Sequence, residues 1–377
     1  MIKKISLCIL VAVLLFMSDV YANTGEFDVD AVSAILVEAS TGKVMYEKNA
    51  DSSLPPASVT KVMTMLLVIE AVDGGVIKLS DMVQTSENAA SMGGSQIYLK
   101  VGEEMTVEDM LKSVVIASAN DAAVALAEFI CGSEEAFVSR MNERGAELGL
   151  ENTHFENTNG LDDDTVNHVM SARDIAVITR ELLRHPKILD YSSIWMDTVR
   201  NGEFGLTNTN RLVRFYSGAN GLKTGSTSKA KFCISATAKR DGMQLIAVIM
   251  ASPTRDTRNE AAKKLFDYGF ANYSYINIES GTLDNLRVLG GVTDKCGVIY
   301  GSFETVLDKG ADKNIETTVN LPETLSAPIK LGQKIGKVEY SLNGEKIGEA
   351  DIVTCDEVSK ISYFGLFGKL IKKFLLI

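Results

Sequence analysis

The strongest constraint on this chain is the period of its apolar residues, which changes from strand-like to helix-like and back before about residue 276. Ala34-Ile35-Leu36-Val37 leads into Ser40-Thr41-Gly42 and resumes over Lys43 to Tyr46, a hairpin signature. Ser58 to Val72 carries apolar residues at helical spacing and stops at Gly74-Gly75, and Thr106 to Ile130 is helical again but broken at Ser118-Ala119-Asn120. Lys231 to Lys239 and Met243 to Met250 are β-rich runs joined by Arg240-Asp241-Gly242, and a closing helix is predicted over Ala261 to Tyr268. Strands, then helices, then strands predict an α+β domain with an antiparallel sheet, over residues 23–275. From Ile276 to Cys355 the helical period is gone. Val338, Tyr340 and Leu342 alternate with Lys337, Glu339 and Ser341, Asn343-Gly344 turns the chain, and Ile347, Ala350 and Ile352 return. A small all-β domain is predicted over 276–356.

The two ends carry different signals. Lys3-Lys4, the apolar run Ile5 to Met17 and Val20-Tyr21-Ala22 have the layout of a secretory signal peptide over 1–22, with a retained N-terminal anchor as the alternative. Residues 357–377 predict an amphipathic helix. Phe364, Phe367, Leu370, Ile371, Phe374 and Leu375 fall on one face, with Lys369, Lys372 and Lys373 opposite. Lys369, Lys372 and Lys373 interrupt a spanning helix, whereas the pattern suits one lying on an anionic membrane. Docking on the protein's own surface is the alternative. A net charge of −11 and a pI near 5.0 argue against nucleic acid as a partner. Five cysteines without a CxxC fit neither a zinc ribbon nor a disulfide framework, and no metal or other cofactor is expected.

Three short motifs stand in order: Ser58-Val59-Thr60-Lys61, Ser118-Ala119-Asn120 and Lys223-Thr224-Gly225. Each alone is weak, and each alone reads more simply as a helix face, a cap or a surface charge. Together they describe a nucleophile site. Pro55-Pro56 places Ser58 in the first turn of a helix, where free N–H groups favour developing negative charge. Lys61, three residues on, shares its face. An amine serves as base to a hydroxyl only when neutral, which at neutral pH costs a lysine roughly 4 kcal/mol. Burial and a second cation, Lys223, push that way. Lys223 and Thr224 on an edge strand offer a cation and a hydroxyl to a carboxylate, and Gly225 leaves room for substrate lying along the strand. The N–H groups of Ser58 and Ser226 form the expected oxyanion hole.

The trio resembles the S-x-x-K, S-D-N and K-T-G signature of class A β-lactamases and penicillin-binding proteins, with Ala119 in place of the aspartate of the second motif. The chain resembles the low-molecular-mass penicillin-binding proteins, serine-type D-alanyl-D-alanine carboxypeptidases of peptidoglycan metabolism. "PASVTKVMT", "SANDAA", "GLKTGST" and the Ala327 to Glu349 stretch carry the likeness. The resemblance implies a β-lactamase/transpeptidase-like fold with a helical subdomain, followed by the all-β domain and a membrane-anchoring helix. It implies that Ser58 forms the acyl-enzyme, Lys61 is the acylation base and Ser118 relays protons. Asn120 then holds the substrate amide, while Lys223 and Thr224 bind the terminal carboxylate beside Gly225 and Ser226. The implied partners are peptidoglycan pentapeptides, β-lactams as covalent inhibitors and an anionic membrane, on the outer face of a bacterial plasma membrane.

Ser226 stands where some relatives carry histidine, so rate and preference are not carried over. Arg255 and Arg258 are candidates for an additional carboxylate-binding cation. Gly93-Gly94-Ser95 resembles a loop near the cleft, and His154, His168 and Asp174 read as structural. A β-lactamase needs a deacylating glutamate, for which Glu147 to Glu151 is the nearest segment. A zinc peptidase needs clustered ligands, and HExxH is absent. A non-catalytic penicillin-binding or wall-binding module and a D,D-endopeptidase share the same motifs, the latter distinguished by cleft shape.

Overall fold

The computed structural model describes residues 27–163 and 165–374. The predicted signal segment 1–22, residues 375–377 and the side chains of Lys372 and Lys373 lie outside that description. Strands β1 (Ser33–Glu38), β2 (Val44–Lys48), β3 (Ala219–Thr227), β4 (Lys231–Arg240) and β5 (Met243–Ser252) form one sheet in the order β2-β1-β5-β4-β3. All neighbours are antiparallel, and β3 is an edge. The turn between β4 and β5 is Asp241-Gly242, with φ of 47° and 82°, the doubly positive geometry of a two-residue hairpin.

Both faces of the sheet are covered, which is why β5 reads as an unbroken apolar run. On one face Leu36, Ala247 and Ile249 pack with Leu265 and Phe266 of the helix Arg255–Asn272. On the other, Ile35, Val37, Ile246 and Val248 join the larger core with α1 (Lys61–Asp73), α2 (Val107–Lys112), α3 (Asn120–Cys131) and α4 (Ala172–Leu183). The helix Arg255–Asn272, α5, begins upstream of the Ala261 start that the apolar pattern indicates. Its first turn is polar and is set by the Thr254 hydroxyl accepting from Thr257 N. Likewise the α-helix following Pro56 starts at Lys61, not Ser58, because Ala57–Thr60 is a tighter 3-10 turn.

Downstream, six strands stand in the order Ile315–Asn320, Lys334–Leu342, Glu345–Thr354, Lys295–Tyr300, Gly281–Leu289 and Thr324–Ser326. Asn343-Gly344, with φ of 53° and 82°, makes the tight turn. Val338, Tyr340, Ala350 and Ile352 fill its core, with Phe303 stacked on Tyr340 at 4.5 Å. The architecture is thus an α+β domain followed by an all-β one. The strand Tyr273–Ile278 continues from α5 and pairs with Phe303–Asp308, whose Val306 packs into the first domain's core. Lys43 Nζ donates to Val306 O at 2.9 Å across the same junction.

The terminal helix, α6 (Tyr363–Phe374), leaves Phe364, Phe367, Leu370 and Phe374 exposed and holds to the β domain through Lys369, 2.7 Å from Asp294. Among the described residues no helix is long and apolar enough to cross a membrane. Cys131, Cys233, Cys296 and Cys355 are free thiols.

Candidate active site

Ser58 sits on a turn braced from three sides. Ala57 adopts φ 49°, a left-handed conformation costly for a side-chain-bearing residue. Thr60 Oγ1 donates to Ala57 O at 2.9 Å and lies 2.7 Å from His168 Nε2. His168 Nδ1 accepts from Glu156 N at 2.9 Å, so the ring proton resides on Nε2 and points at Thr60. Gly160 (φ 83°) packs so closely that any side chain would overlap Ala57 O. Gly225 is equally constrained: a Cβ there would lie 2.8 Å from Pro56 O and 2.9 Å from Ser58 N. Its glycine is required by contact with the Ser58 turn, where the sequence suggested room for a substrate.

His168 also sets an acid limit. Burial is the main cause holding the imidazole down to about 4, against the opposing pull of Glu156. The unfolded chain binds this proton first as pH drops below ~6.5, so stability falls between there and about 4, by on the order of 3 kcal/mol. The urea midpoint should therefore decrease over that interval, and less steeply in His168→Gln. An identical pH dependence in the variant would remove His168 from the account.

Lys61 is fully buried at the start of α1. Its Nζ lies 3.0 Å from Ser58 Oγ, 2.6 Å from Asn120 Oδ1 and 2.8 Å from Asn159 O. Burial first, and the Lys223 ammonium second, hold this amine well below the ordinary lysine range, with Asp121 opposing. The geometry suits a neutral amine. Two N–H groups satisfy the amide and carbonyl oxygens, which can only accept, and the lone pair is left for the Ser58 hydroxyl proton.

Asn120 is fixed where the helix breaks. α2 ends in a π-turn, Ser113–Ala117, and Ser118 takes φ 66° before α3 starts at Asn120. Asn120 Nδ2 donates to Gly93 O and its backbone N to Ser95 O, both at 2.7 Å. The Gly93-Gly94-Ser95 loop is therefore part of the site. Asp121, buried, accepts from Ile97 N and Leu99 N and secures the same loop. Ser118, nearly buried, lines the cleft with Ser58 and Ser95.

The opposite wall is β3. Lys223 is fully buried, donates to Thr224 O at 2.9 Å, and is pushed down to about 7 by burial and then Arg258. Thr224 Oγ1 donates to Thr209 Oγ1 at 2.8 Å, and Ser226 is exposed at the rim. Arg258, buried on α5, reaches the cleft and binds Asn259 Oδ1 and Cys233 O. Among the described residues no carboxylate pairs with it, and burial followed by Arg255 pulls it down to about 10. The cleft holds about 650 Å³, and among the described residues no acidic one lines it. In a chain of net charge −11 this is a local cationic site, suited to an anionic ligand.

Sequence reasoning missed Asn159 and Thr209. The first acts through a backbone carbonyl, which no side-chain pattern reports. His154 is exposed and bridges Val169, and Asp174 accepts from Asn152 N and Thr153 Oγ1, so neither enters the cleft. Glu147 pairs with Arg140 and Arg144 at a helix end, and neither it nor Glu151 lines the cleft.

A family described as D-alanyl-D-alanine carboxypeptidase matches residues 20–254, and the C-terminal domain of penicillin-binding protein 5 matches 290–360. The chain is 42% identical over 348 residues to the D-alanyl-D-alanine carboxypeptidase DacF of Bacillus subtilis (strain 168), covering 90% of this chain and 89% of that one. It is 34% identical to DacC of Escherichia coli (strain K12), covering 89% and 86%. The crystal structure of penicillin binding protein 5 from Haemophilus influenzae superposes with a TM-score of 0.76 at 32% identity, over 89% of this chain and 99% of that one. Two domains in the same order, matched along nearly the whole length, make this chain an enzyme of the D-alanyl-D-alanine carboxypeptidase family of serine peptidases.

Proposed function

We propose that the enzyme removes the terminal D-alanine from peptidoglycan stem peptides through an acyl-enzyme on Ser58. The observation that carries this reading is the buried Lys61 amine 3.0 Å from Ser58 Oγ, held well below the ordinary lysine range by burial and then by Lys223. Lys61 takes the hydroxyl proton as Ser58 attacks, and Ser118 relays it to the departing amine. Asn120 holds the substrate amide, and the N–H groups of Ser58 and Ser226 receive the oxyanion. Lys223, Thr224 and Arg258 bind the terminal carboxylate, with the peptide added along the free edge of β3. Water then hydrolyses the ester. β-Lactams acylate the same serine; a relative, penicillin-binding protein D2 of Listeria monocytogenes, has been crystallised in an ampicillin-bound form. Intact mass after incubation with benzylpenicillin, followed by D-alanine release from a pentapeptide, tests this. An adduct without steady-state release would leave a penicillin-binding module and reject the enzyme's proposed turnover.

The mature chain works on the outer face of a bacterial plasma membrane, after loss of residues 1–22, held by 357–377. In support, the phenylalanines of α6 are open to solvent instead of docked on the protein. Deleting 360–377 should shift the protein from the membrane pellet to the supernatant without changing D-alanine release. Continued sedimentation with membranes would rule out the anchor.

A further inference from the structure

One end of the β domain exposes apolar side chains that its core does not use. Gly281 pairs with Tyr300 beside the strands that join the two domains, and the strand Gly281–Leu289 carries the chain from there to the opposite end of the sheet. At that far end separate segments are hydrogen-bonded side by side. Ala327 N donates to Leu289 O at 3.0 Å, Ile329 N to Val358 O at 2.9 Å and Val292 N to Ser359 O at 2.9 Å.

Three large apolar side chains stand there in the open: Leu289, Val292 and Leu331, at 46%, 55% and 68% exposure. Val292 belongs to a loop closed by Val288 N donating to Asp294 O at 2.9 Å. Leu331 occupies the tip of the turn Lys330–Gln333, where Gln333 N donates to Lys330 O at 3.3 Å and Gly332 takes φ 72°. Thr354 Oγ1 donates to the same Lys330 carbonyl at 2.6 Å. Polar residues and glycine are the usual occupants of such tips. Here hydrogen bonds hold aliphatic side chains out into solvent instead.

The helix α6 starts from the same place. Ile361 N donates to Gly290 O at 2.9 Å, and Lys369 reaches Gly291 O at 3.2 Å as well as Asp294. Lys369 is on the polar face, so this tie leaves the phenylalanine face turned away from the domain. Lys295, Lys330 and Lys360 are exposed around this end. Of the acids nearby, Asp294 is held by Lys369 and Asp356 accepts from Gly297 N at 2.7 Å, while Glu357 is open to solvent. Apolar tips among lysines, continuous with an amphipathic helix, match the boundary between acyl chains and headgroups of an anionic bilayer.

Building on the membrane reading of α6, we propose that this end of the β domain is itself a membrane-contact surface. Leu289, Val292 and Leu331 enter the headgroup boundary, and Lys330 and Lys360 meet lipid phosphates. The backbone polar groups of the loops stop them there, because hydrocarbon cannot satisfy them. Three aliphatic side chains do not hold a protein on a bilayer by themselves; they orient one that α6 has already tethered. The contact stands the β sheet on its end and sets the height at which the first domain is carried.

The test uses the full mature chain and vesicles of phosphatidylglycerol and phosphatidylcholine brominated at shallow acyl carbons. Trp195, in the first domain, is the only tryptophan of the chain, so Leu331→Trp adds one reporter over a wild-type reference. The added emission should shift to the blue and be quenched on these vesicles, while the wild-type emission is not. Val292→Asp combined with Leu331→Asp should lower vesicle partitioning by roughly ten-fold, with Leu331→Ile unaffected. D-Alanine release from a soluble pentapeptide should be unchanged in all of these variants. An unquenched Leu331→Trp on vesicles that still sediment the chain would overturn the proposal and leave α6 as the whole anchor. A chain that does not sediment with vesicles at all would overturn the reading of α6 and the proposal together. A blue shift that follows protein concentration without vesicles would assign this end to a second copy of the chain and overturn the proposal.

Discussion

Ser58→Ala should give no covalent adduct with benzylpenicillin and should reduce D-alanine release by on the order of 10⁴-fold or more. No neighbouring group can take over. Lys61 Nζ is 3.0 Å from Ser58 Oγ but buried behind it, engaged by Asn120 and Asn159. Ser118 sits on a separate left-handed turn. The variant should fold, because the turn is held by Thr60, His168, Gly160 and Gly225 and not by the Ser58 hydroxyl. Intact mass over time reads the adduct directly. A penicilloyl adduct persisting in the variant would move the nucleophile elsewhere.

Lys61→Met should lower the acylation rate by about 10³-fold while leaving the fold in place. Methionine replaces the buried stem at similar volume, and a hard-to-solvate amine is removed. Asn120 Oδ1 and Asn159 O each lose a donor, which limits the benefit to stability. The pH profile separates a base from a mere support. In the wild type, kcat/KM should rise as pH passes upward through the lowered Lys61 value, since only the neutral amine accepts a proton. It should decline above about 7 as Lys223 loses the charge that binds carboxylate. In Lys61→Met the rising limb should disappear and the falling limb remain. A variant that keeps the rising limb would show that another group is the base.

The parts legible in the sequence are those fixed over a few residues. Asp241-Gly242 and Asn343-Gly344 foretold their hairpins because two consecutive positive φ angles demand such residues wherever they occur. Ser58 and Lys61 were legible as a pair because a spacing of three puts them on one face, and the pairing survives in a 3-10 turn. The start of α5 was not legible, because its first turn is capped and polar, and that turn carries Arg258 into the cleft.

Gly225 shows the division most directly. The sequence marked a glycine on an edge strand; only the packing of that strand against the Ser58 turn gives its reason. The same holds for Asn159 and His168, which act on Lys61 and Thr60 from 98 and 108 residues away. The sequence by itself determined the two-domain order, the hairpins and the three motifs proposed to form the site, since each depends on local backbone preference or residue chemistry. The tertiary structure decided how deeply each amine is buried, which carbonyl orients Lys61 and which segments wall the cleft. Those properties come from burial and from approach between distant segments, which no local pattern encodes.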